Sequence, residues 1–249
     1  YQGILTAYVD GKQVARNENA LYAANRAEPE AGQGKPLGVP ADLGIGAYNL
    51  ASGVGSNPFE GGVDEVAFYN NYILKPEQIA AHYEAGKNRN PATPYESLVY
   101  TAAFDVNNPD QTRERVTVPS LYLRANEAAD AGAENSGSAG ALADGVRVNG
   151  ANATTGVSGP GFSGDNAAVA IGDRNFVALN NPSSLNFAGQ ISVEAWINPA
   201  GTQADVARIL SHGPAIQSDF TDPVAAGITL AGSLLSPNEV SLRIEGGTE

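Results

Sequence analysis

The sequence predicts an all-β fold of antiparallel strands, with one short helix at about residues 76–85. Three observations carry this expectation. Glycine (29) and proline (15) are frequent while charged residues make up only 16% of the chain, a balance that points to many turns around a packed interior rather than to disorder. Apolar residues alternate in several short runs, as strands facing a core on one side require. Only one stretch shows sustained helical spacing.

That stretch follows the strongest strand. In Val63-Asp64-Glu65-Val66-Ala67-Phe68-Tyr69 the apolar residues fall mostly on alternate positions. Pro76 suits a first helical turn, where its missing N–H would be unpaired anyway. Ile79, Ala80 and Tyr83 then form an apolar stripe, and Gly86 is expected to stop the helix in the left-handed conformation. Lys75 stands where Ser or Thr would make a better cap.

Taken from the start, Asp10-Gly11 between two apolar runs predicts a tight hairpin, because both central residues need positive φ. Residues 16–42, polar and rich in Ala, Glu and Pro, read as a long surface loop. Residues 51–58 read as a glycine- and serine-rich loop. The polar segment after Gly86 holds two prolines and predicts a linker at 89–94. Alternation predicts further strands at Phe176–Leu179 and Ile191–Ile197, and residues 144–165 read as a Gly, Asn and Thr loop region with short strands. The insertion at 100–118 carries no functional motif.

The stretch Phe59, Gly61 or Gly62, Val63, Asp64, Glu65, Val66, Phe68, Tyr69 and Asn70, followed by Gln78, Ile79 and His82-Tyr83, resembles the closing strand and helix of laminin-G-like, concanavalin A-like jelly rolls. The hairpin with Leu5, Tyr8, Val9, Asp10, Gly11 and Val14 resembles a second phrase of that family, whose usual preceding W-H-H-V strand is missing. Leu121 to Glu127, with Arg124 one place late, and Glu134 to Ser138 are similar to its opening strand and the N-S-G segment after it. Val193, Glu194, Ala195, Trp196, Ile197 and Pro199 match a further strand, and Leu43 to Gly46 resembles the family's L-x-I-G strand. Arg208–Ser211 resembles the strand after that of Trp196, and Ile228–Leu230 and Val240–Ile244 look like two more. The resemblance implies an antiparallel jelly-roll sandwich in rotated order: 1–88 resembles the end of one module and 95–249 the beginning of another. Either the two parts complete each other, or neighbouring copies complete them, or the chain is cut from a tandem array. The absence of methionine and a start within a strand pattern point to a processed or partial chain.

The formal charge of −13 argues against nucleic acid as a partner, since phosphates must be neutralised by Lys and Arg, and is compatible with divalent cations. With no cysteine, disulfides and thiolate metal sites are excluded. No apolar run approaches the roughly twenty residues of a membrane span. No nucleophile elbow or phosphate loop occurs.

The first candidate site is Asp64, read as a ligand of a structural Ca²⁺, a hard cation that takes several oxygens. Asp165, Asn166 and Asp173 are its candidate partners, and related jelly rolls often carry calcium. The alternative is that Asp64-Glu65 solvates an exposed edge. Tyr22, Tyr48 and Tyr72 are candidates for stacking on sugar, against the reading of ordinary half-buried tyrosines. No strand carries the paired carboxylates at even spacing that the fold's glucanases use, and Glu194 stands alone beside Trp196, so no catalytic residue is assigned. Trp196 is expected in the core, and His82 and His212 have no second ligand pattern. Asn152-Ala153-Thr154 is treated as a chance glycosylation match.

These readings predict a non-catalytic extracellular recognition or adhesion module of a bacterial surface protein, binding carbohydrate or a cell-surface glycan. The alternative is a structural subunit of a filament or surface layer, joined to neighbouring copies through split jelly rolls. A glycoside hydrolase is the remote third.

Overall fold

A computed structural model of the chain describes residues 2–21, 43–47, 58–70, 72–88, 91–100, 118–128, 131–148, 153–155, 166–172, 175–180, 185, 190–200, 203, 207–212, 227–232 and 240–245. The described part is all-β and antiparallel in its strand pairing, with few helices. In chain order it comprises β1 (Gln2–Val9), β2 (Lys12–Leu21), β3 (Leu43–Ile45), β4 (Gly61–Asn70), α1 (Pro76–Lys87), α2 (Tyr95–Val99), β5 (Leu121–Leu123), a 3-10 turn (Gly140–Ala143), β6 (Gly145–Val148), β7 (Ala153–Thr155), β8 (Ala167–Ile171), β9 (Phe176–Leu179), β10 (Ile191–Pro199), β11 (Arg208–His212), β12 (Gly227–Gly232) and β13 (Val240–Glu245). The five-stranded sheet runs β10-β4-β8-β7, with β5 also paired to β4; the six-stranded sheet runs β13-β12-β11-β3-β9-β6; β1 and β2 form a third sheet of two strands.

Strands that precede and follow the 89–94 segment pair with one another. β4 is the centre: Gly61–Asn70 lies against β10 along its length, and its other edge is shared by β8 at Gly61–Val63 and β5 at Val66–Phe68. In the second sheet the short β3 is held between β11 and β9.

The main core draws on both large sheets. Val63, Phe68, Leu121 and Ile171 come from one and Ile45, Val177, Leu179 and Ile209 from the other, each at most 5% exposed. Burial of each such side chain stabilises by roughly 1.5–3 kcal/mol. A smaller core lies on the opposite face of β4, where Ala67, Tyr69 and Tyr122 meet Ala85 of α1 and Tyr95 and Val99 of α2.

The hairpin forms as its turn chemistry requires, with Asp10 at φ 51° and Gly11 at φ 72°. β2 continues to Leu21, so the expected loop at 16–42 is strand over its first residues; the rest of it lies outside the described residues. β8, an alanine-rich strand, and the five-residue α2 had no clear signal in the sequence.

The helix also departs from expectation at its end. Gly86 does not stop α1, which continues to Lys87 and ends at an extended Asn88. Gly86 is needed for space instead: a Cβ there would clash with the indole of Trp196. At the other end, Gln78 Oε1 accepts the Lys75 N–H at 3.0 Å, half of a capping box that compensates for the poor cap residue.

Candidate functional site

The site grows out of a defect in β4. Glu194 on β10 faces Ala67 and Trp196 faces Asp64, so Glu65 and Val66 together oppose Ala195. This is a two-for-one β-bulge. Glu65 sits at φ 50°, a left-handed conformation that costs a non-glycine residue roughly 1–2 kcal/mol. The bulge shifts the alternation, so that Val63 and Val66, three apart, both reach the main core.

The bulge leaves two neighbouring carboxylates inside the protein in different surroundings. Glu65, at 0% exposed, accepts a hydrogen bond from the Tyr122 hydroxyl and lies 3.5 Å from Arg124 Nε. Arg124 in turn reaches Glu96 at 3.9 Å. Burial, reinforced by the neighbouring charge of Asp64, pushes the Glu65 carboxyl up to about 8 despite these donors. Neutral Glu65 is therefore the favoured form at ordinary pH.

Asp64 is 2% exposed. Its Oδ1 accepts the Glu65 N–H at 2.7 Å and its Oδ2 accepts Asn166 Nδ2 at 2.7 Å. The reading of Asp64-Glu65 as an exposed, solvated edge is overturned, because β4 is flanked by strands on both sides. Beside Asp64 lies a cavity of about 20 Å³ bordered by Glu127 and Arg147, room for about one water molecule. Arg147 Nη2 donates to Glu127 Oε2 at 2.7 Å, while its Nε is buried without a hydrogen-bond partner.

Of the expected calcium ligands, Asp64 and Asn166 are brought into contact; Asp165 and Asp173 lie outside the described residues. Asn166 Oδ1 is buried and takes no hydrogen bond. A half-turn of the amide would aim this oxygen at Asp64, giving two adjacent oxygens on that side. The guanidinium of Arg147 disfavours a cation on the cavity side. Among the described residues no group of three or more His, Cys, Asp or Glu side chains could hold a metal, so Asp64 and Asn166 fit only as part of a larger oxygen set.

Glu194 does not stand alone. Tyr69 donates to its Oε1 at 2.6 Å, and His82 Nδ1 lies 2.9 Å from its Oε2. Sequence reasoning missed this trio because its members come from β4, α1 and β10 and meet only in the fold. Burial, with Glu194 alongside, pushes the Tyr69 hydroxyl well up from its ordinary value. Trp196 is half-buried against the smaller core, stacked on Tyr83 at 5.9 Å and met edge-on by Tyr95 at 5.8 Å. Packing already occupies it.

Tyr72 is half-buried, and its hydroxyl donates to Gln78 Oε1 at 2.8 Å. Tyr22 and Tyr48 lie outside the described residues. His212 ends β11. Asn135, in the N-S-G segment, is a buried organiser that Asn-rich composition alone did not reveal: its Oδ1 accepts the N–H of Tyr122 and of Gly137, both at 2.8 Å, and its Nδ2 donates to the carbonyls of Ser120 and Gly140. Among the described residues no helix is long and apolar enough to cross a membrane.

Comparison of the chain with protein-family models, with curated proteins and with solved structures returned no match.

Proposed function

We propose that this chain is a non-catalytic extracellular recognition or adhesion module of a bacterial surface protein, built as a laminin-G-like, concanavalin A-like jelly-roll sandwich, and that it binds carbohydrate. The observation that carries the non-catalytic reading is the confinement of Asp64 and Glu65, at 2% and 0% exposed. A glycosidase needs two carboxyl groups flanking an accessible sugar bond; these two are enclosed and already engaged. They act as architecture, fixing the bulge and the strands around it.

The sandwich is supported by a main core shared between the two large sheets and by the family phrases around Asp64, Asp10-Gly11 and Trp196. A structural Ca²⁺ would take Asp64 and Asn166 as ligands, with the idle Asn166 Oδ1 in support. Its contribution would be to neutralise buried negative charge and tie β4 to the segment before β8.

The test is binding of the purified chain to an array of cell-surface and polysaccharide glycans, in calcium and in EDTA, with release of reducing ends followed on the same glycans. The reading expects binding to at least one glycan class with no cleavage. Cleavage, or no binding to any glycan, contradicts it.

One observation favours a second reading, a structural subunit of a filament or surface layer. Among the described residues, the outer edges of β10 and of the β1-β2 hairpin have no strand beside them, and open edges are the usual points of strand pairing between chains.

A further inference from the structure

We propose that the outer edge of β10 is a docking edge for β1 of a second copy of this chain, so that copies join head to tail. The inference rests on the structural-subunit reading and names the surfaces it would use.

The acceptor is recognised by incomplete burial. Ile191, Val193, Ala195 and Ile197 of β10 pack against the main core but stay only half-buried, whereas Val63, Val66 and Phe68 on the adjoining β4 are at most 4% exposed. The two strands differ in their neighbours. β4 has strands on both sides; β10 has β4 on one side and, among the described residues, none on the other.

The donor is recognised in the same way. A lone two-stranded hairpin is marginal in water, and β1-β2 pairs with no other strand among the described residues. Ile4, Val9 and Val14 on or beside it are 61%, 41% and 57% exposed. Its tip is held to the rest of the chain where Gly11 meets Tyr83.

Charge decides which strand docks. Edge strands are normally protected by charged residues, proline or bulges. β2 carries Lys12, Arg16 and Glu18, but β1, QGILTAYV, has neither charge nor proline, the composition of a segment prone to add to a sheet. β10 has one charge, Glu194, which is tied down by Tyr69 and His82, and a proline only at its last position. Among the described sheet edges, β1, of 8 residues, and β10, of 9, are thus the two long ones that present no free charge. They belong to the same chain and are different surfaces, so their pairing is heterologous and open-ended rather than a closed dimer. Copies carrying a net charge of −13 repel at long range, while β1 itself brings no charge to the contact. Added salt therefore favours assembly.

The native chain has no cysteine, which makes disulfide trapping specific. Ala7→Cys and Ala195→Cys variants, mixed under oxidising conditions, are expected to give a mixed disulfide, and Ala15→Cys with Ala195→Cys is not. Light scattering and electron microscopy of the unmodified chain are expected to show linear assemblies that lengthen with salt. Ile4→Lys should shorten them and Val14→Lys should not, with folding of both variants checked by circular dichroism. A monomer at every concentration and salt overturns this proposal and the structural reading together. Assemblies that persist in Ile4→Lys and give no Ala7–Ala195 cross-link overturn the docking edge alone and leave the structural reading standing.

Discussion

Tyr69 and His82 grip the same carboxylate from opposite elements: the Tyr69 hydroxyl donates to Glu194 Oε1 at 2.6 Å, and His82 Nδ1 lies 2.9 Å from Oε2. Through Glu194, the central strand β4, the strand β10 and the helix α1 are joined at one point. Removing the carboxylate leaves two polar groups in a largely dry place, which costs more than the bonds themselves contribute. Glu194→Ala is expected to destabilise the chain by about 2–4 kcal/mol, read from urea unfolding, and Glu194→Gln by less because it keeps an acceptor for Tyr69.

Glu65 gives the stability a pH dependence of unusual sign. Its carboxyl is raised from about 4.5 to about 8 in the folded chain, so folding prefers the neutral form. That contribution is fully present below the unfolded value and is lost as pH rises through about 8. At roughly 1.4 kcal/mol per pH unit, the loss is on the order of a few kcal/mol. Thermal unfolding of the unmodified chain and of Glu65→Gln, compared between pH 5 and 9, should show the difference shifting in favour of Glu65→Gln with rising pH. A constant difference would contradict an ionisable, neutral Glu65.

Gly86 tests packing against propensity. Alanine in a helix interior is better than glycine by roughly 1 kcal/mol, so Gly86→Ala would stabilise an exposed helix. Here the added methyl meets the Trp196 indole, and overpacking of a filled site costs about 1–3 kcal/mol. The expected outcome is a lower Tm, together with a change in the Trp196 fluorescence, since it is the only tryptophan in the chain.

Asp64 links the calcium proposal to the Glu65 titration. If Ca²⁺ binds there, millimolar calcium raises the Tm of the unmodified chain and not that of Asp64→Asn. In EDTA the same variant should also lower the Glu65 value, because the Asp64 charge is one of the causes that raise it. A calcium effect that survives in Asp64→Asn would place the ion elsewhere.

What the sequence disclosed follows from the range of the interactions involved. The Asp10-Gly11 turn was legible because two adjacent residues determine it. The β4 strand was legible from alternation, but its bulge was not, since Glu65 at φ 50° has none of the glycine that usually marks such a position. Gly86 was misread because its neighbour Trp196 is distant in sequence, and a glycine near a helix end looks like a stop. The partnership of Glu65 with Tyr122 arises from strand pairing, and the Glu194 trio from strand pairing together with the packing of α1. Asp64 could be singled out from its motif, but its burial came from β8 and β10 closing on either side of it.

The most direct test of the account is hydrogen exchange on the intact chain, read at β4 and β10. The structure makes Gly61–Asn70 and Ile191–Pro199 one paired unit locked by Glu194, so their shared amides should exchange together at the slowest rates in the chain, and should speed up together in Glu194→Ala. Slow exchange in 61–70 with fast, independent exchange in 191–199 would contradict the shared sheet on which every other inference here depends.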